Sequence, residues 1–350
     1  MEYALASPAL PPDAAPPAPA PPLRAVRPLM ASRKDLAALL LLALSLGMVV
    51  AWASLNLRAD TRADTLHNLH AVLDGAPFRT GDDVRSDLPF YNRVLFPLLH
   101  RGLARALPFA SESQCYLLLR VLSFQAAFAA FALVCRRGLG AAQATAALAT
   151  ALLAVATIAS FNFPWEEPSD AFDLVVLALG VGAAVRRRLL WGLGLAIVFA
   201  ANRESAAFLG LIWAAVTVSR GDGSRSDWRR RLVEGGAISV LSYGTAIGLK
   251  TALGPDFIAN YGTPAINLAR LHESLGTPDP LNWPAMLATL VLLFVACADL
   301  RAPLGRRFLG LAALFAGLAL LFGLINELRV FLPTFVMLGF AVATPRRAAE

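Results

Sequence analysis

The sequence predicts an all-α fold, a polytopic transmembrane helical bundle of about ten spans. Three observations carry this. The 350 residues are 57% hydrophobic and only 16% charged, where a soluble domain has about 25% charged residues. The apolar residues fall in blocks such as Leu36–Leu57 and Phe308–Ile325, each near the ~20 residues with which a helix crosses a ~30 Å hydrocarbon core. Basic residues cluster in short runs between alternate blocks, the pattern of cytoplasmic membrane loops.

Residues 1–32 read as a cytoplasmic tail. The run Pro8–Pro22 is Pro and Ala broken only by Leu10 and Asp13, a composition that cannot bury a core and stays disordered or extended. A transmembrane domain over 33–345 follows, with long outer loops at 58–114 and 254–283. Its first span comes directly after Arg33–Lys34 and reads as an uncleaved signal anchor, although Ala51-Trp52-Ala53 has the form of a cleavage site. Spans are expected at about 36–57, 115–135, 141–160, 171–185, 189–201, 205–219, 233–253, 284–300, 308–325 and 330–344. Several are shorter than the usual minimum of ~17 residues and read as partial or tilted helices.

Charge orients these spans. With the N-terminus inside and strict alternation, the inner segments hold Arg136–Arg137, Arg186–Arg188, Arg229–Arg231 and Arg306–Arg307 among nineteen Lys and Arg, against eight Asp and Glu. The outer side holds twelve basic and sixteen acidic residues and all four histidines. Both termini are therefore expected in the cytoplasm. The same pattern answers the pI of 9.9: the arginines are divided among loops rather than gathered on one basic face, so nucleic acid is not an expected partner. Three scattered cysteines make no disulfide framework, and no zinc-ligand spacing occurs.

Candidate site residues lie at the outer turns. Asp60 and Asp64 follow the first span closely, and Asp64, His67 and His70 share a helix face at i, i+3, i+6 spacing. Carboxylate with imidazole serves general base catalysis or a metal; the plainer alternative is a solvated amphipathic helix. Tyr91 and Arg93 enter an apolar, Pro-containing stretch, where Arg grips a phosphate bidentately or simply anchors at headgroup level. Glu166, Glu167 and Asp170 crowd a short turn beside Trp165, and carboxylates near a membrane core are expensive. Asn202-Arg203-Glu204 and Asn326-Glu327-Leu328-Arg329 each set an acid and a base where an apolar hairpin turns. Such pairs either converge on one outward cleft or neutralise each other and hold helices together. No cofactor is specified beyond the divalent cation that the carboxylates leave open. Residues 264–275 read as an interfacial helix.

The acidic first outer loop (Asp60, Asp64), the Tyr91-Asn92-Arg93 segment and the short helices joined by charged turns resemble the GT-C class of membrane glycosyltransferases. The resemblance implies transfer of a sugar from a polyprenyl-phosphate-linked donor in the membrane lipid to an acceptor, at the outer face of a bacterial inner membrane. It further implies Asp60 or Asp64 as the base, and Arg93, Arg203 or Arg329 on the carrier phosphate. The chain departs from the class pattern in having no adjacent acidic pair directly after the first span; Asp82-Asp83 comes later. It also carries no soluble C-terminal domain of the kind found in larger members. The rival expectations are a secondary transporter, which also builds sites from broken helices, and a non-catalytic membrane assembly protein.

Overall fold

The computed structural model describes residues 32–56, 62–74, 78–80, 83–85, 94–160, 170–218, 225–253, 269, 272, 283–322 and 328–345. The chain divides into a unit Met1–Met30, which lies outside the described residues, and a unit Ala31–Glu350. The second unit is a helical bundle. Its elements are α1 (Arg33–Asn56), α2 (Arg62–Asp74), α3 (Leu95–Ala106), α4 (Glu112–Leu133), α5 (Gln143–Ala159), α6 (Asp170–Val185), α7 (Leu189–Ala200), α8 (Phe208–Val218), α9 (Arg225–Leu253), α10 (Trp283–Cys297), α11 (Pro303–Phe322) and α12 (Leu332–Ala343). Between α2 and α3 lies a small antiparallel ribbon, β1 (Phe78–Thr80) with β2 (Asp83–Arg85), pairing Arg79 with Val84.

Among the described residues, four stretches are long and apolar enough to cross a membrane: Arg33–Ser54, Glu112–Leu139, Asp227–Leu249 and Pro303–Leu321. The other apolar helices are shorter, and α7, α8 and α12 have only 12, 11 and 12 residues. At 1.5 Å per residue such a helix rises about 18 Å, short of a hydrocarbon core. Burial accounts for one of them. In α12 every residue except Pro333 is buried; it lies inside the bundle, with Phe331, Phe335 and Phe340 stacked or tilted against Trp283, Phe294 and Phe308. The long helices instead expose apolar side chains, among them Leu41, Met48 and Trp52 of α1 and Val233 and Val240 of α9. An apolar exterior around an apolar interior suits a bilayer rather than water.

Most buried hydroxyls in the bundle bond within their own helix. The hydroxyls of Thr150, Thr157, Ser160, Thr217 and Ser242 each donate to the carbonyl four residues back, as is usual for Ser and Thr in apolar helices. Small residues bring backbones together. A Cβ at Gly47 would lie 2.7 Å from the Gln125 Cα, so α1 and α4 touch at backbone level. At the α8–α9 crossing a Cβ at Gly235 would lie 2.6 Å from the Gly210 carbonyl oxygen, and Ser239 Oγ donates to the Ala207 carbonyl at 2.7 Å. Close packing of this kind associates helices where lipid supplies no hydrophobic drive.

Two glycines predict opposite outcomes. Gly47→Ala forces α1 off the Gln125 backbone and lowers stability by about 1–3 kcal/mol. Gly236→Ala, where an added Cβ meets nothing within 4 Å, raises it by about 0.5–1 kcal/mol because Gly is the poorer helix former. Unfolding in detergent measures both, and an equal response at the two sites contradicts the packing.

Candidate functional site

The first turn of α6 and the turn after α7 meet at one end of the bundle. Asp170 and Asp173, at i and i+3, lie on one face of α6, and carboxylates in a first turn are favoured by the helix dipole. After Ala200 the chain tightens, with the amides of Asn202 and Arg203 both bonded to the Phe199 carbonyl at 3.0 and 2.7 Å. This turn lays Arg203 across the two carboxylates. Its Nη2 lies 2.9 Å from Asp170 Oδ1 and its Nη1 2.8 Å from Asp173 Oδ2. Asn202 Nδ2 donates to Asp173 Oδ1. Asp170, Asp173 and Asn202 are buried, and the Arg203 side chain is 13% exposed. Charges this far from water persist only when paired and hydrogen-bonded.

A second buried cation lies on α4. Arg120 is 1% exposed. Its Nε donates to Ser54 Oγ at 3.1 Å and its Nη1 to the Tyr116 hydroxyl at 3.4 Å, with the guanidinium 5.4 Å from the Phe124 ring centroid. Because Ser54 is in the last turn of α1, Arg120 ties the end of α1 to the start of α4. That start is fixed by a capping box: Gln114 N–H donates to Ser111 Oγ and Ser111 N–H to Gln114 Oε1.

Helices α2 and α3, between α1 and α4, fold onto this same end. Leu95 N–H donates to the Ala201 carbonyl at 3.0 Å, which sets the start of α3 beside the Asn202–Arg203 turn. The Phe96 ring stands edge-on to Tyr116 and to Phe172, both at 5.9 Å between centroids, and so joins the Arg120 cluster to the first turn of α6. His100 Nε2 donates to the Glu112 carbonyl at 3.1 Å. Helix α2 is held beside it by His70 Nε2 to Glu112 Oε2 at 3.3 Å and by Arg101 Nη2 to Asp74 Oδ1 at 2.9 Å.

Of the residues singled out from sequence, Asp170 and Arg203 are brought into contact. Asp64, Glu204 and Arg329 lie on helical backbone, with side chains outside the described set; Asp64 is on α2, and so on the loop docked at this end. Asp60, Tyr91, Arg93, Glu166, Glu167 and Glu327 lie outside the described residues, as does all of 264–275 except Ala269 and His272. His67 and His70 are on α2 as the spacing predicts, and among the described residues no three His, Cys, Asp or Glu form a metal-binding group. Asp173 and Arg120 were not singled out. Arg120 is a single charge inside an apolar stretch and Asp173 lies one turn past Asp170 at the start of another, and that was the available signal: such residues are functional candidates in membrane helices. No family model, curated protein or solved structure matches this chain.

The cluster predicts a graded loss of stability. Arg203→Met leaves two buried carboxylates without their cation and costs about 3–5 kcal/mol. Asn202→Ala removes one hydrogen bond to a charged group and costs about 1.5–3 kcal/mol. Denaturant unfolding in detergent gives both values; equal or negligible losses contradict the ion-paired arrangement.

Proposed function

We propose that this chain is a multi-pass glycosyltransferase of the bacterial inner membrane, GT-C-like in its plan. Its Arg-rich turns and both termini face the cytoplasm, and its site opens at the opposite face. The observation that carries the reading is the shared end of the bundle. There the buried Asp170–Arg203–Asp173 set, the buried Arg120 and the docked first-loop helices α2 and α3 come together. In a largely apolar bundle, burying this many charges at one end is costly and marks a site. Leu98 and Leu99 of α3 are exposed beside this end, which suits a donor arriving on a lipid.

In this reading Asp60 or Asp64 takes the proton of an acceptor hydroxyl as its oxygen attacks the anomeric carbon. The bond from that carbon to the carrier phosphate oxygen breaks, and the phosphate leaves with the electron pair. Arg93 and Arg329 hold the phosphate and stabilise its growing charge. Arg203, already committed to two carboxylates, keeps the α6 and α7 ends in register. Tyr91, Glu166, Glu167, Glu204 and Glu327 complete the substrate-facing turns, and a divalent cation is the one cofactor this set of carboxylates would accept.

A second reading rests on a specific observation. Helices α7 and α8 are two short halves joined by a charged turn, which is how transporters build substrate sites. The two readings part in a test tube. Purified protein in detergent, given lipid-linked sugars and candidate acceptors, is expected to transfer sugar without any gradient. Asp60→Asn and Asp64→Asn, singly and together, are expected to lower the rate about 10²–10⁴-fold through the one that acts as base, with the fold retained. Arg93→Ala is expected to weaken donor binding by about 1.5–3 kcal/mol. Full activity in both Asp variants overturns the assignment of the base. Gradient-driven uptake of an unaltered substrate into proteoliposomes, with no transfer in detergent, overturns the glycosyltransferase.

A further inference from the structure

The opposite end of the bundle carries its own polar chemistry. The turn between α6 and α7 is Arg186-Arg187-Arg188, all three exposed. Arg187 N–H donates to the Ala184 carbonyl and Arg188 N–H to the Ala183 carbonyl, both at 3.0 Å. Arg187 has φ +53°, and no other non-glycine residue among those described has a positive φ. This is the Schellman helix end, whose left-handed position glycine fills without strain. Here an arginine holds it. The dipole at the end of α6 rewards a cation equally well at Arg186 or Arg188, so it does not account for a basic side chain at the strained position.

A second basic group lies at the same end of the bundle. Helices α7 and α9 both start at this end and pack side by side. A Cβ at Gly192, one turn into α7, would lie 3.0 Å from the Trp213 ring and 3.3 Å from Ile238 of α9. Trp213 Nε1 donates to Glu234 Oε2 at 3.1 Å, and the same carboxylate receives Arg230 Nε at 3.0 Å and Arg231 Nη1 at 3.0 Å. Arg188 lies four residues before Gly192 and Glu234 four before Ile238, so Arg188 is level with Glu234, and Arg229 and Arg230 lie about one turn further toward this end. Glu234 and Asp227 take up Arg231, Arg230 also pairs with Glu234 but stays exposed, and Arg229 is exposed at the same end of the bundle. Around this patch stand exposed apolar side chains: Leu190 at 82%, Trp191 at 65% and Trp228 at 49%.

We infer that the Arg186–Arg188 turn and the first turns of α9 form a binding site for the phosphate headgroup of an anionic phospholipid. The arginines supply bidentate phosphate contacts. Trp191, Trp228 and Leu190 set the site at the boundary between headgroups and acyl chains, where Trp is at home. A lipid, rather than a soluble acidic partner, fits because charge and apolar surface adjoin on the same two helices. The site rests on the membrane reading of the chain and is independent of sugar transfer.

Native mass spectrometry of the full chain in neutral detergent, titrated with phosphatidylglycerol and with phosphatidylcholine, tests this. Wild type is expected to retain phosphatidylglycerol at least tenfold more strongly. An arginine near an anionic surface contributes about fivefold, so Arg186→Gln with Arg188→Gln and Arg229→Gln is expected to abolish the preference. Arg187→Gly is the decisive variant. It is expected to lower phosphatidylglycerol retention about fivefold while leaving thermal stability in neutral detergent unchanged or raised, because glycine relieves the left-handed strain. Absence of lipid preference in wild type, retention by the triple variant, or a loss of stability in Arg187→Gly equal to its loss of binding overturns the proposal. Equal competition by inorganic phosphate overturns the lipid as its ligand.

Discussion

The ion-paired set in which Arg203 spans Asp170 and Asp173 is the constraint on which one end of this bundle depends. A guanidinium and two carboxylates taken out of water lose several kcal/mol of solvation each, and only close pairing with further hydrogen bonds returns it. That requirement dictates the backbone around them. The turn after α7 must be tight enough to bring Arg203 to the first turn of α6, and Asn202 must follow it in to reach Asp173. The α3 helix then closes on this turn through the Ala201 carbonyl, and Phe96 carries the contact across to Tyr116 and Arg120. Two buried cations and one docked loop thus belong to a single assembly.

The rest of the bundle makes such an assembly affordable. The short helix α12 is buried among its neighbours, so it never has to match a bilayer on its own. Backbone-level contacts at Gly47 and at Gly210 with Gly235 bring the helices close enough for dispersion to hold them. The two ends then diverge in character. Both bury a charge pair, Arg203 with Asp170 and Asp173 at one end and Arg231 with Glu234 at the other, but only the second also displays arginines among exposed tryptophans.

Much of this is legible in the sequence. The apolar blocks give several of the helices within a few residues: the expected 36–57 is α1 at Arg33–Asn56, and 171–185 is α6 at Asp170–Val185, while the expected 233–253 is α9 with an earlier start, at Arg225–Leu253. The i, i+3, i+6 spacing of Asp64, His67 and His70 gives α2. The turn at Asn202–Arg203 stands out because three polar residues interrupt a long apolar stretch. The partner of that turn does not stand out in the same way. Asp173 lies inside an apolar block and reads as a charge belonging to the nearer loop, and Arg120 does likewise in α4. Which helices touch depends on tertiary packing, and periodicity along one chain carries no record of it. The full span count is equally hidden, because an apolar run of 11 or 12 residues reads the same whether it crosses a bilayer or is sheltered inside the bundle.

The most direct test of the central interaction is to remove all of its charges at once. Arg203→Met alone takes the arginine from two buried carboxylates; adding Asp170→Leu and Asp173→Leu replaces all three charged groups with apolar side chains, an exchange that is often neutral or stabilising for buried ion pairs. Unfolding free energy in detergent is the measurement. The account predicts that the triple variant regains more than half of the stability lost by Arg203→Met. A triple variant as unstable as the sum of the three separate changes would contradict it, since the three side chains would then be acting independently.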